Sequence, residues 1–426
     1  MENNCLKRWQ NYALLPLSSL LKVINSTRGF ITLIVLGIAA HLLFGLFFNF
    51  IDINFWAITS INISMGANLY ELAGYYYTPV WGYFLAVTGY LGDLLGISYG
   101  TYIPELFSEY QSLSGFDAIA SIPYKMLITV FLTCIDLLCS YYIYKILRLL
   151  NKSEQEARVF ALLWFILPLT IFVSSVRSMN DALMILFLLM GVFYALNREA
   201  LYAGVFLALS ALTKEFTIIP AILLAGYIYR QNRNRMQLIQ YTVGLITASI
   251  IILLPAILTG HLADSMFWLT NRFPILYTSW PIFLGLFVLA CIIVAYLSFR
   301  LIRSFNQFCW INIILLSLLF LYRSNIQYLL LLVPFLILAY RHKYWIVFLV
   351  MGILTILCFI DELPVLVLSY EYSGLPGGNV LDNLGNILGR IIPWREYYKQ
   401  IFLVITLLLV TLELLRAQED FDEVKA

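Results

Sequence analysis

The chain has 426 residues, of which 62% are hydrophobic and only 12% are charged. Soluble domains carry about 25% charged residues and rarely more than about half apolar ones, so a single soluble core cannot hold this excess. The net charge of +2 does not indicate a nucleic-acid partner, and the six scattered cysteines form neither a disulfide framework nor a zinc motif.

Long apolar runs divide the chain into segments that reach or approach the roughly 20 residues needed to cross the hydrocarbon core. We therefore predict an all-α polytopic membrane protein, a single domain over residues 1–426. The first run has no cleavage site for a signal peptidase and is expected to remain as an anchor. The twelve predicted spans lie near residues 31–50, 123–147, 159–176, 181–197, 199–213, 216–229, 238–258, 281–300, 308–322, 326–341, 344–361 and 400–416.

The distribution of basic residues predicts the orientation of these spans, because cytoplasmic loops carry an excess of Lys and Arg. With the N-terminus inside, the cytoplasmic segments hold 18 of the 26 Lys and Arg residues of the sequence. Both termini then lie in the cytoplasm. The membrane would be the cell membrane in a prokaryote and the endoplasmic reticulum membrane in a eukaryote.

A long first exoplasmic loop is predicted over residues 51–122, and a later one over 362–399. Within the first loop Pro79–Ile97 is apolar, but counting it as a span would place the basic segment 145–158 outside. Four glycines and Asp93 also make it a poor span. We expect this segment to lie in the interface as an amphipathic or re-entrant helix, among the aromatic residues that interfaces favour.

Ionisable side chains are costly at membrane depth, roughly 2.5–3.5 kcal/mol each on insertion scales, so their positions are informative. The predicted topology sends most of them to four outer turns, which begin near residues 52, 177, 214 and 323. If these turns converge, they form one cavity in which a carboxylate lies beside cations. Such a set suits proton abstraction coupled to the departure of an anionic group. The candidate residues are Asp52, Arg177, Asn180, Asp181, Lys214, Arg323, Gln327 and Tyr328.

These residues also have structural interpretations, which the sequence leaves open. Asp52 could be a solvated loop acid, and Arg177 could form an i,i+4 ion pair with Asp181. Lys214 could extend its ammonium group from a helix end towards water. The polar residues of the last turn could cap helix ends.

Two further polar residues lie inside predicted spans. We expect Asp136 to make a structural hydrogen bond to a neighbouring helix, and His41 to be a core histidine with satisfied hydrogen bonds.

The order of these features resembles the GT-C glycosyltransferases, and most closely the polyprenyl-phosphate-mannose-dependent mannosyltransferases. Asp52 occupies the place of the functional acid that opens the long outer loop of that family, although it lacks the second acid that many members carry. The usual Trp after the Gln-Tyr motif is also missing. The other matching motifs, over about residues 30–340, are Tyr75-Tyr76-Tyr77-Thr78-Pro79, Lys125 with Asp136, Asn180-Asp181, Ala203-Gly204 through Lys214, and Gln327-Tyr328 with Pro334.

The resemblance implies inverting transfer of a sugar, mannose in the closest members, from a polyprenyl-phosphate donor at the exoplasmic face. The acceptor would be a lipid-linked glycan, a glycolipid or a protein. Asp52 would be the base, and Arg177, Lys214 or Arg323 would contact the leaving phosphate. The substrates would be bound by Asn180, Asp181, Tyr77, Gln327 and Tyr328. No metal or other cofactor is expected, since a monophosphate needs a divalent ion less than a nucleotide diphosphate does.

Two other classes of protein fit parts of this pattern. A transporter or lipid flippase also needs charges inside the membrane, but it typically shows two related halves with broken helices in matching positions, and the sequence shows no such halves. A non-catalytic subunit of a membrane glycosylation complex would carry the same motifs if Asp52 were not a base.

Overall fold

The chain folds mainly into α-helices in the computed structural model, with one short β-hairpin. The structure describes residues 24, 26–48, 50, 52–70, 75, 77–102, 118–232, 235–262, 280–322, 325–339, 345–371, 400–401 and 403–408. The elements in chain order are α1 (Thr27–Phe47), α2 (Asp52–Ser64), α3 (Pro79–Leu94), β1 (Gly100–Tyr102), β2 (Ala118–Ala120), α4 (Ile122–Leu149), α5 (Glu154–Ile166), α6 (Pro168–Ile171), a π-helix (Phe172–Val176), α7 (Asp181–Leu196), α8 (Ala200–Ala211), a 3₁₀ turn (Glu215–Thr217), α9 (Ile218–Asn232), α10 (Arg235–Leu258), α11 (Trp280–Leu301), α12 (Phe305–Tyr322), α13 (Ile326–Leu329), α14 (Leu332–Leu338) and α15 (Trp345–Glu371).

Several of these helices suit a membrane protein. Among the described residues, α1, α4 and α10 are each long and apolar enough to cross a bilayer. The segment from α5 to the π-helix is long and apolar enough only when its two helical parts, which are bent by 41° relative to each other, are counted together. Other apolar helices of 10–17 residues include α7 and α8. The membrane class is therefore supported, while the number of twelve spans and their orientation stay predictions.

The predicted all-α class is confirmed, and one short hairpin accompanies the helices. Within the predicted first loop, β1 pairs antiparallel with β2, so that Gly100 lies opposite Ala120. The backbone N–H of Ala120 also donates to Asn54 Oδ1 on α2, at 2.8 Å. Each strand has only three residues, too few for an alternating pattern to be visible in the sequence.

The predicted span over 159–176 is not one straight helix. It breaks between Leu167 and Pro168, because proline has no N–H to donate to the carbonyl four residues earlier. Pro168 instead begins α6, where its missing N–H is tolerated. The segment then ends as a π-helix directly before Arg177.

The break that the sequence predicted at Lys214 is present. Helix α8 ends at Ala211, Lys214 is extended at φ −161° and ψ 124°, and α9 begins at Ile218. The sequence predicted a tilted pair or two half-helices meeting at this point, and the structure has two helices separated by this turn.

Helix α3 occupies the segment for which an interfacial or re-entrant helix was predicted. It has 16 residues, buries Trp81 and Leu85, and leaves Leu94 largely exposed. The phenol of Tyr83 donates to the carbonyl of Ile252 on α10, at 3.0 Å. The segment is thus a helix packed on the bundle, and its position at the interface stays a prediction.

Helices α8 and α10 are in backbone contact through two glycines. A Cβ placed on Gly204 would lie 2.1 Å from the carbonyl oxygen of Tyr241, and one on Gly244 would lie 2.2 Å from that of Leu201. Small residues allow this close approach, which is a principal source of helix association in membranes.

Gly204→Ala and Gly244→Ala are each expected to lower the free energy of unfolding by about 1–3 kcal/mol, because the new methyl group must push two backbones apart. Unfolding titrations of the purified protein in mixed detergent measure this loss. Gly285→Ala on α11 is the matched control, since its Cβ would meet no atom within 4 Å. Equal stability of all three variants would contradict the close contact.

Candidate functional site

A buried ion pair links two of the predicted outer turns. Lys214 Nζ lies 2.8 Å from Oδ1 and 2.8 Å from Oδ2 of Asp181. Both side chains are buried, with 1% and 0% of their surface exposed. Asp181 is the first residue of α7, where the helix dipole favours an acid. Lys214 therefore does not extend towards water, and that structural interpretation was wrong.

Arg177 lies at the end of the π-helix and is also buried. Its guanidinium carbon is 4.4 Å from the ring centre of Phe50 and 5.3 Å from that of Phe172, which are cation–π distances. Its Nη1 donates to Gln327 Oε1 at 3.0 Å. Ser178 follows with φ +53°, so Arg177 and Asp181 are not on one helix and cannot form a helical i,i+4 pair.

The short helix α13 brings Gln327 and Tyr328 to the same place. The ring centre of Tyr328 lies 5.0 Å from Lys214 Nζ, and Phe216 meets the same ring edge-on at 4.9 Å. Gln327 accepts the hydrogen bond from Arg177. Three turns that are far apart in sequence thus converge, which is the arrangement expected if they form one cavity.

Asn180 connects the turn before α7 to the turn after α8. Its Nδ2 donates to the carbonyl of Thr213 at 3.3 Å. Its Oδ1 is buried and has no hydrogen-bond partner among the described residues. The hydroxyl oxygens of Ser178 and Thr78 are also buried, and they likewise have no hydrogen-bond partner among the described residues. Such atoms can accept hydrogen bonds from a bound ligand or from water.

The segment around Tyr77 packs against these turns through Trp56. The Trp56 ring lies 5.1 Å from that of Tyr77, and its Nε1 donates to the carbonyl of Ser178 at 3.0 Å. The N–H of Val80 donates to the carbonyl of Leu212 at 3.1 Å. The predicted long loop therefore covers the turns that carry Asn180 and Lys214.

Tyr75 stabilises the bend that leads into α3. Its phenol donates to the carbonyl of Thr78 at 2.9 Å. Burial raises the pKa of this phenol well above its usual value, so it remains a donor throughout the neutral range.

Asp52 is the first residue of α2, and its side chain is partly buried. Phe50, two residues earlier, is in contact with Arg177. The structure thus places the start of α2 beside the converging turns, while the catalytic role of Asp52 stays a prediction. Arg323, the third predicted cation, lies outside the described residues.

Lys125 is a buried cation that the sequence did not assign to the site. Its Nζ donates to the carbonyl of Phe48, just after α1, and to that of Val176 at the end of the π-helix, at 2.9 Å. Those carbonyls precede Asp52 and Arg177 in the chain. Lys125 therefore holds together the two backbone segments that carry these residues. The sequence contained a signal for it, since a lysine one turn inside a span needs a partner.

Lys125→Met is expected to lower the free energy of unfolding by about 1.5–3 kcal/mol, because two carbonyls lose a charged donor. The measurement is an unfolding titration in mixed detergent. Lys145→Met is the matched control, since Lys145 lies near the other end of the same helix, over the ring of Tyr141. A loss no greater than that of the control would contradict the bridging role.

No protein-family model matches this chain, and no curated protein matches it significantly.

Proposed function

We propose that the protein is a membrane glycosyltransferase that moves a sugar from a polyprenyl-phosphate donor to a hydroxyl group of an acceptor. The proposed sugar is mannose, and the acceptor is a lipid-linked glycan, a glycolipid or a protein. The observation that carries this proposal is the convergence of Arg177, Lys214, Asp181 and Gln327 at one buried place beside the start of α2. A reaction with an anionic leaving group needs a cation and a base at such a place.

Arg177 is the cation best suited to the phosphate. Lys214 is already bound to both carboxylate oxygens of Asp181, so a phosphate there would meet the repulsion of that acid. The planar guanidinium of Arg177 can contact two phosphate oxygens at once. The rings of Phe50 and Phe172 lie against this buried guanidinium, and charged contacts are stronger in such apolar surroundings than in water.

Neutral groups near the cations favour a sugar over a simple anion. The oxygens of Thr78, Ser178 and Asn180, which have no partner in the described part of the chain, are able to accept hydrogen bonds from sugar hydroxyl groups. The partly exposed ring of Tyr77, which packs on the buried Trp56, offers an apolar surface for the C–H groups of a hexose. A site of this composition fits a phosphorylated sugar.

The proposed step balances as a single displacement. Asp52 takes the proton of the acceptor hydroxyl while that oxygen attacks the anomeric carbon. The bond from that carbon to the phosphate oxygen breaks, and its electron pair leaves with the prenyl phosphate. Attack from the opposite side inverts the anomeric centre. The prenyl chain stays in the bilayer, and the loop segment around Tyr77 helps to exclude water from the reaction.

Binding of prenyl phosphate, the expected leaving group, tests the anion site. Arg177→Met is expected to weaken this binding about 10- to 150-fold, the equivalent of roughly 1.5–3 kcal/mol for charged hydrogen bonds. Titration calorimetry in detergent measures the affinity. Arg148→Met is the control, because Arg148 pairs with Glu154 at the other end of α4. Equal affinity of the wild type and Arg177→Met for prenyl phosphate would contradict the proposed role of Arg177 in phosphate binding.

One observation also favours a transporter. The pair of helices bent by 41° at Pro168 resembles the broken helices of transport proteins. Liposomes separate the two functions, since a transporter moves its substrate across the membrane without forming a glycoside, whereas the proposed enzyme forms one.

A further inference from the structure

The stretch of chain between Glu215 and Asp361 is strongly basic. Its only acid is Asp264, against nine lysines and arginines. An excess of cations at the cytoplasmic ends of spans is common in membrane proteins, but acids are usually interspersed with them. The structure describes four of these nine residues, all of them exposed arginines: Arg230, Arg235, Arg300 and Arg303.

Two of these arginines meet where α9 and α11 end side by side. A Cβ placed on Gly226 would lie 2.8 Å from the carbonyl carbon of Ser298, so the helices approach closely near their C-terminal ends. Arg230, in the last turn of α9, donates from Nε and Nη2 to the carbonyl of Phe299, at 3.3 and 3.1 Å. Arg300 follows Phe299 directly, in the last turn of α11.

The other two arginines lie in the turns beside these helix ends. Arg235 is the first residue of α10, three residues after α9 ends at Asn232. Arg303 lies between α11 and α12, and the ring of Phe305, at the start of α12, packs against that of Tyr227 on α9 at 5.7 Å. The four residues that surround this end of the helices are called the basic end: Arg230, Arg235, Arg300 and Arg303.

The charge of the basic end is not offset by carboxylates. Within the described ranges, none of its four guanidinium groups forms an ion pair with an acid, whereas Glu154 pairs with both Arg148 and Arg158 after α4, at 3.4 and 3.0 Å. Exposed like charges that lie close together repel one another. An anion bound among these arginines would relieve that repulsion.

The protein surface next to the basic end is apolar. Met236 and Ile239 of α10, and Tyr296 and Leu301 of α11, are each more than half exposed. Helix α10 is also long and apolar enough to cross a bilayer. A ligand at this place therefore meets cations at one end and hydrocarbon along its length. An anionic phospholipid has this composition, whereas a nucleic acid or a free anion has no apolar part to cover these side chains.

We propose that the basic end binds the headgroup of an anionic phospholipid, whose acyl chains lie along the exposed faces of α10 and α11. Guanidinium groups can contact two phosphate oxygens at once, and basic pockets between membrane helices bind acidic headgroups. Arg230 is twelve residues after Ile218, about 18 Å along the axis of α9, so the site lies at the opposite end of this helix from Lys214. It goes beyond the proposed transfer reaction, because it needs no sugar donor.

Thermal denaturation of the purified full-length protein in uncharged detergent tests the site. Phosphatidylglycerol is titrated at about 0.15 M salt, and phosphatidylcholine with the same acyl chains is titrated in parallel. The proposal predicts that Tm rises with phosphatidylglycerol until the site is saturated, and that phosphatidylcholine gives a much smaller rise. Inorganic phosphate should not raise Tm, since it lacks acyl chains. An equal rise with phosphatidylcholine or with inorganic phosphate would overturn the proposal.

Variants assign the lipid effect to the basic end. Arg300→Gln/Arg303→Gln is expected to weaken the apparent affinity for phosphatidylglycerol about 30-fold, the equivalent of about 1 kcal/mol for each arginine. Arg303→Gln alone should weaken it about 5-fold, and it replaces the double variant if that protein does not fold. Arg28→Gln/Lys152→Gln is the matched control, because it removes two charges from other segments that are predicted to be cytoplasmic, and it should keep the wild-type affinity. Wild-type affinity in both variants of the basic end, or an equal loss in the control, would contradict the proposed site.

Discussion

Asp52→Asn is expected to lower the rate of sugar transfer about 100- to 10,000-fold, the range lost when a general base is removed. Asparagine has nearly the same shape, so α2 should still begin at this residue, although it loses a favourable charge at the helix N-terminus. The fall should appear in kcat rather than in KM, since the carboxylate acts on the acceptor proton in the transition state. Single-turnover assays with labelled donor in detergent measure it.

The matched control for Asp52→Asn is Asp93→Asn. Asp93 lies in the same predicted loop, near the end of α3, and its Oδ1 accepts a hydrogen bond from Tyr99 at 2.6 Å. The Asp93 side chain is exposed, and this hydrogen bond lies outside the group of contacts formed by Arg177, Asp181 and Lys214. Transfer at the wild-type rate by Asp52→Asn would contradict the assignment of the base, even if the protein proves to be a transferase.

Lys214→Met is expected to lower the free energy of unfolding by about 3–5 kcal/mol, because it leaves the carboxylate of Asp181 charged and unpaired in the interior. Asp181→Asn should have an effect of similar size, since it leaves the ammonium group unpaired. The double variant Lys214→Met/Asp181→Asn removes both charges and should lose far less than the sum of the two. Unfolding titrations of all four proteins measure the coupling.

Additive losses in this cycle would contradict the ion pair, since residues that interact directly do not contribute independently. Prenyl-phosphate binding to the double variant gives a second result. Retained binding would indicate that the pair is structural and that Arg177 recognises the phosphate. Loss of binding in a folded double variant would assign the phosphate to Lys214 instead.

Much of the site could be predicted from the sequence because charge in an apolar chain is rare. The cost of an ionisable group at membrane depth made Arg177, Asp181 and Lys214 conspicuous, and the rule for basic residues placed their turns on one side. The contacts with Gln327 and Tyr328 agree with that grouping. The break near Lys214 was also visible, since the apolar runs on either side of it are short.

The partners of each charge could not be predicted from the sequence. Asp181 is four residues from Arg177, which suggested a helical pair, but the left-handed Ser178 ends the helix and Lys214 takes the carboxylate. Side-chain pairing across helices depends on rotation and tilt, which apolar runs do not encode. For the same reason the role of Lys125 became clear only from the packing of α1, α4 and the π-helix.

Sugar transfer by the purified protein tests the central claim most directly. The wild type is incubated with polyprenyl-phosphate-mannose or polyprenyl-phosphate-glucose and with a mixture of glycan and glycolipid acceptors, and both prenyl phosphate and labelled product are measured. The proposed function predicts that one donor is consumed, that product and prenyl phosphate form in equal amounts, and that Asp52→Asn forms neither. If neither donor is bound or consumed by the folded wild type, the assignment to polyprenyl-phosphate-sugar transferases is contradicted.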